Sequence, residues 1–223
     1  MSSLLGMLLG LAVGLRHAFE PDHLTAIATL ATEARGAKRG AMLGALWGIG
    51  HTASLVIVGL VLLAIGAVMP VRVGAWFELG VCAMLVVLGI RAIVRAWKQG
   101  GAGPVHAHSH GAQSHVHAGV VRHVHLRGRV IAVRPLLVGL VHGLAGSGAL
   151  TALVFAELHG TVARVAYISL FGAGSVIGMA IASALVGASV HRLDRGHRWL
   201  GLGAGALSVV LGIAWSLPLW PLA

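Results

Sequence analysis

Between Leu4 and Ala31 the chain is apolar enough to cross a bilayer, yet it carries Arg16, His17, Glu20, Asp22 and His23 within eight positions. A span needs about 20 apolar residues, and an Arg or Asp at its centre costs about 2.5–3.5 kcal/mol on insertion scales. Such a cluster persists where its members satisfy one another or an ion, which makes an intramembrane ionisable group a functional candidate by default. On a regular helix residues three and four apart share a face, whereas those five and six apart do not. His17, Asp22 and His23 would therefore point in different directions. Pro21 removes a backbone hydrogen bond and crowds the preceding turn, so a first helix broken near Pro21 would bring two imidazoles and a carboxylate together. Unwound backbone at membrane depth is tolerated where it is buried in protein or lines a cavity. Imidazole with carboxylate suits Ni, Co, Zn, Cu or Fe(II) better than Mg or Ca. The plainer reading makes His17 and His23 core histidines and has Glu20 or Asp22 neutralise Arg16, since buried charges are usually paired. One ion pair leaves the other groups of the cluster without a role.

The rest of the chain sets this run in context. Of 223 residues 57% are hydrophobic and 10% charged, the composition of a polytopic membrane protein. Apolar runs predict six spans, at about 4–31, 42–68, 75–97, 135–157, 166–190 and 199–221. The first lacks the basic flank of a signal peptide and is too long and too interrupted for one. Thirteen of the sixteen Lys and Arg fall in the first, third and fifth connections or their flanks, and two in the second and fourth. The positive-inside rule then puts the odd connections in the cytoplasm and both termini outside, in a cytoplasmic membrane. This placement also accounts for the net charge of +10 without a nucleic-acid partner. Cys82 is the single cysteine, so an intrachain disulfide and a thiolate cluster are excluded, and a small buried hydrophobe is its expected role.

An internal repeat runs through the chain. Val13-Gly14-Leu15-Arg16-His17 matches Val138-Gly139-Leu140-Val141-His142; Trp47-Gly48-Ile49-Gly50 matches Phe171-Gly172-Ala173-Gly174; Val86 to Ile90 recurs as Val209 to Ile213. The offset is 125, 124 and 123 in turn. Chance pairing of Gly and Val is the alternative, but the steady offset favours a duplication. Three spans repeated cross the membrane in opposite senses, the inverted repeat of many secondary transporters, whose sites lie near the midplane between the halves. The expected fold is an all-α integral membrane protein: residues 1–98 form the first three-helix repeat, 99–134 a connecting loop and 135–223 the second repeat.

Three further features bear on a site. His51 and His142 are additional intramembrane imidazoles, either ligands or helix–helix hydrogen-bonding groups. Gly143, Gly146 and Gly148 follow His142 where the first repeat has its acids; they allow either tight helix packing or a second unwound segment. The third connection holds His106, His108, His110, His115, His117, His123 and His125. Such tracts bind metals, and this one is expected to lie in the cytoplasm, disordered without metal. Glu78, Glu157 and His159 are expected near the outer ends of spans, more as interfacial residues than as cation attractors, and Trp47 inside the protein.

The run His17-Ala18-Phe19-Glu20-Pro21-Asp22-His23, preceded by Arg16, resembles the signature of the nickel/cobalt transporter family, in which an Arg-His-Ala start is followed by Asp-His. Gly50-His51-Thr52 is similar to that family's Gly-His-Ser/Thr element, and Phe171 to Gly174 with Gly178-Met179 to a later helix. Typical members have Asp-Ala where Glu20-Pro21 stands, have eight spans, and carry later Asp-Thr elements that are absent here, which brings this chain closer to the short branch linked to urease accessory genes. The resemblance implies a permease for Ni2+ or Co2+, with His17, Asp22 and His23 selecting the ion and His51 nearby. Together these readings lead us to expect uptake of Ni2+, or Co2+, as transported substrate, with no tightly bound cofactor. His17, Asp22 and His23 would hold the ion, with His51 and His142 as further candidate ligands. Arg16 and Glu20 would pair and orient these ligands, and cytoplasmic metallochaperones are candidate partners. Efflux, or a non-transporting membrane metal donor for enzyme assembly, are the alternatives. No Gly-Lys-Ser/Thr phosphate-binding motif is present, and nothing in the sequence supports catalysis.

Overall fold

The computed structural model describes residues 3–31, 36–98, 106–110, 113–117, 123–126, 129–157, 160–192 and 197–223. The expected break in the first span is found. Helix α1 (Ser3–His17) stops and α2 (Pro21–Ala31) restarts after a three-residue turn. Pro21 is the first residue of α2, where its fixed φ suits a helix start and its missing N–H removes no bond. In the turn, Phe19 N–H donates to Arg16 O at 2.9 Å and Glu20 N–H to His17 O at 3.0 Å, so the connecting backbone keeps its polar groups paired.

The remaining helices are α3 (Ala37–Ile65), α4 (Val71–Lys98), α5 (Val133–Glu157), α6 (Thr161–Arg192) and α7 (His197–Ser216), the last continuing into a 3₁₀ turn at Leu217–Leu219. Among the described residues four segments are long and apolar enough to cross a membrane: Ala37–Ile65, Val71–Lys98, Thr161–Ser189 and Arg198–Leu219; Leu8–His17 and Val133–Ala145 are shorter apolar helices. Large aliphatic side chains such as Ile57, Val61, Ile65, Val210 and Ile213 are exposed on their outer faces, as lipid contact requires. The protein is a helical membrane protein.

Helix α3 packs against α5 and α6, α1 against α6, and α4 against α7, while α2 touches α4, α6 and α7. Buried Trp47, Ile27, Leu85 and Met179 fill the space between them. The closest approaches come in pairs. A Cβ at Gly14 would run into the Phe171 carbonyl, and one at Gly139 into the Trp47 carbonyl. A Cβ at Gly50 would meet the Leu136 carbonyl, and one at Gly174 the Leu11 carbonyl. Each pair exchanges its members under the sequence repeat. Small residues let membrane helices approach this closely, and Ser54 Oγ–H to Leu140 O (2.6 Å) and Thr52 Oγ1–H to Gly172 O (3.0 Å) tie the same helices together.

One open alternative is decided and one expectation is corrected. No second unwound segment follows His142, because α5 is helical throughout Val133–Glu157. Gly143 instead lets α5 lie directly on the His51 backbone. Within the 99–134 connection, expected to be disordered without metal, the described residues form strands. Strands β1 (His106–His110) and β2 (Gln113–His117) form one antiparallel hairpin, and β3 (His123–Leu126) and β4 (Arg129–Ala132) another. The alternation of His with small or β-branched residues suits the period of two in a strand. Register sets His106 opposite His117 and His108 opposite His115. The side chains of this connection, that of Glu157, and His159 lie outside the described residues.

Candidate metal centre

The turn between α1 and α2 aims the first-span histidines inward. His17 closes α1 and His23 sits in the first turn of α2. His51 comes from the middle of α3 and His142 from α5. Gly139 and Gly143 seat α5 against α3 at the level of Trp47 and His51, which carries His142 into the group. His23, His51 and His142 are 1%, 0% and 2% exposed. Ring centroids lie 4.4 Å apart for His17–His23, 5.1 Å for His23–His51 and 4.2 Å for His23–His142. Four imidazoles from four helices thus share one spot.

Two carboxylates fix the rings. His17 Nδ1–H donates to Glu20 Oε2 at 2.9 Å. His23 Nδ1–H donates to Asp22 Oδ1 at 3.0 Å, and His142 Nε2–H to Asp22 Oδ2 at 2.9 Å. These tautomers follow from the carboxylates being acceptors only. A carboxylate behind an imidazole fixes its orientation and raises its basicity, as in many metal centres. The remaining nitrogens face inward: His23 Nε2 and His51 Nε2 are 3.3 Å apart. Among the described residues His17 Nε2, His51 Nδ1 and His142 Nδ1 are buried without a hydrogen-bond partner. An unsatisfied buried polar atom costs about 1–3 kcal/mol, and three of them on neighbouring imidazoles fit a cluster built to receive a cation. Among the described residues two groups have donor atoms within 4.8 Å of one another: His17, His23 and His51, and Asp22, His23 and His142. Metal–nitrogen bonds of about 2.0–2.1 Å place adjacent donors roughly 3 Å apart, and the His23 Nε2–His51 Nε2 separation of 3.3 Å is close to that.

All five expected ligands, His17, Asp22, His23, His51 and His142, are therefore brought together. The expected Arg16–Glu20 pair is not. Arg16 is exposed, and Glu20 turns to His17 because the helix ends between them and folds the chain back. Glu20 still orients a candidate ligand, but without Arg16.

Sequence reasoning missed the walls. Trp47 lies 5.6 Å from the His23 ring and 5.5 Å from His142, and Phe171 lies 5.2 Å from His17. Trp47 and Phe171 are repeat equivalents, a signal that could have marked both as facing the same site. A cavity of about 580 Å3 runs from the cluster past Glu20, Glu78 and Cys82 to Trp215, Pro218 and Leu219. Glu78 and Cys82, one turn apart on α4, both line this cavity, and Cys82 is buried as expected.

No protein-family model and no solved structure matches the chain. Among curated proteins it is 33% identical over 208 residues to the urease accessory protein UreH of Bacillus sp. (strain TB-90), an alignment covering 92% of this chain and 87% of that one. That similarity extends through both halves and the connection between them, well beyond the His17–His23 motif, and the chain belongs to the UreH family, the short urease-accessory branch of the nickel/cobalt transporters whose motif it carries.

Proposed function

We propose that the protein carries Ni2+, with Co2+ as the second choice, across the cytoplasmic membrane, chiefly inward, for a nickel enzyme such as urease. The observation that carries this reading is the convergence of His17, His23, His51 and His142 with Asp22, buried between membrane helices. Neutral imidazoles with one carboxylate suit a borderline transition ion. They also leave part of the ion's charge uncompensated, so that it binds without being trapped.

In this reading the two halves are inverted repeats, 1–98 and 135–223, and the paired close approaches at Gly14 and Gly139 and at Gly50 and Gly174 support it. The odd connections face the cytoplasm and both termini lie outside. With that orientation the cavity, which reaches Trp215 and Leu219 at the end of α7, opens outward, and this favours uptake. Exposed Glu20 and Glu78 give its walls negative charge that attracts a dication. The connection 99–134, with its seven histidines, collects the ion on the inner side and passes it to cytoplasmic metallochaperones. Energy comes from a gradient or a partner.

A second reading, a membrane metal donor that does not itself transport, is favoured by the accessory role in the relative's name. Ni2+ flux into sealed liposomes holding only this protein separates the two: flux supports the permease, and its absence in protein that binds Ni2+ supports the donor. Accumulation of Ni2+ in expressing cells, against resistance to added Ni2+, separates uptake from efflux.

A further inference from the structure

Two groups of three ligands meet at one ring. His23 belongs both to the group with His17 and His51 and to the group with Asp22 and His142, and it serves them from opposite edges. Its Nε2 faces His51 Nε2 at 3.3 Å, while its Nδ1 faces Asp22 Oδ1 at 3.0 Å. The outer members stand further apart: the His51 and His142 centroids are 5.9 Å from each other, but 5.1 Å and 4.2 Å from His23. An ion cannot bind both edges of one imidazole at once, and a neutral imidazole has one free nitrogen at a time. The five residues are therefore poorly arranged as a single shell around a single point.

We propose that the cluster holds its divalent ion in two alternate positions, one on His17, His23 and His51 and the other on Asp22, His23 and His142, and that His23 hands the ion from one to the other. The proposal rests on the transport reading above and adds its central step. In the first position the ion meets three neutral nitrogens and keeps its full double charge. In the second it meets two imidazoles and a carboxylate, which offsets one charge. The ring proton of His23 sits on whichever nitrogen the ion does not use, facing Asp22 in the first case and His51 in the second. Three protein ligands leave coordination places for water or an incoming ligand, so neither position closes around the ion. His142 is the ligand from the second half, so the step moves the ion from ligands of the first half alone to a set that both halves supply.

The test is equilibrium Ni2+ binding with X-ray absorption at the nickel edge. It uses full-length protein in which His106, His108, His110, His115, His117, His123 and His125 are replaced by Asn, so that the membrane cluster alone binds. With two positions, His142→Ala keeps one Ni2+ per chain with three imidazoles. His51→Ala keeps one Ni2+ with at most two imidazoles and a carboxylate. Flux falls at least 100-fold in both, and His23→Ala binds none. If both variants show the parent's shell less one imidazole, with flux lost only in step with affinity, a single site is present and the proposal is overturned. His142→Gln and His51→Gln replace any alanine variant that elutes as aggregate. Should the parent show the two-position pattern yet move no Ni2+ into liposomes, the transport reading fails and the two positions stand. Should it transport with one invariant shell, the two positions fail alone.

Discussion

The first span and its counterpart in the second half start alike and end differently. Val13-Gly14-Leu15 and Val138-Gly139-Leu140 place His17 and His142 at matching points, and Gly14 and Gly139 make matching close approaches to Phe171 and Trp47. Beyond the histidine, the first span breaks at Pro21 and presents Glu20, Asp22 and His23, whereas α5 runs on as unbroken helix. The close approaches match and the titratable side chains do not. One half supplies the unwound turn, both orienting carboxylates and three of the four imidazoles; the other supplies His142 and a straight helix for the cluster to rest on. Matching close approaches thus coexist with an unmatched set of candidate ligands.

That contrast can be broken at several points. Short of removing His23 itself, the largest effect is expected at Asp22, which holds rings from both halves and is itself a candidate ligand: Asp22→Asn should lower Ni2+ affinity about 10–100-fold, the range for loss of a metal-site partner, measured by equilibrium binding in protein lacking the loop histidines. An effect below twofold would make the acidic turn dispensable. Next come the glycines. Gly139→Leu and Gly14→Leu should each cost about 1–3 kcal/mol from overpacking, read as thermal unfolding in detergent. Similar losses at both sites sharpen the claim of a symmetric frame, and a loss at one only would break it.

Much of this was legible before any coordinates. The break at Pro21 followed from proline chemistry, and the inward grouping of His17, Asp22 and His23 followed from the cost of leaving them in lipid. The paired glycine contacts follow the offset near 124 that the sequence shows across three segments. The role of Glu20 was not legible. Charge alone favoured Arg16 as its partner, and only the turn at 18–20 decides that His17 is nearer. The glycines after His142 were ambiguous because small residues serve both packing and unwinding. Cys82 read as a small buried residue, which it is, but composition does not tell that it also borders the cavity.

Smaller effects concern the two routes to the centre. Replacing the seven loop histidines by Asn should lower apparent Ni2+ affinity for flux a few-fold and leave the maximal rate unchanged; a lost maximal rate would make the loop part of the path. Glu78→Gln should raise the half-saturating Ni2+ concentration about twofold, more at low salt than at high, as for a steering charge. A salt-independent effect would point to direct ligation at the cavity wall.

The most direct test is Ni2+ uptake into sealed liposomes containing wild-type protein or His23→Ala, with the unchanged elution profile of the variant as the folding control. The account predicts uptake by the wild type and at least a 100-fold loss in the variant. Normal uptake by His23→Ala would contradict it and reduce the cluster at the α1–α2 turn to a structural device.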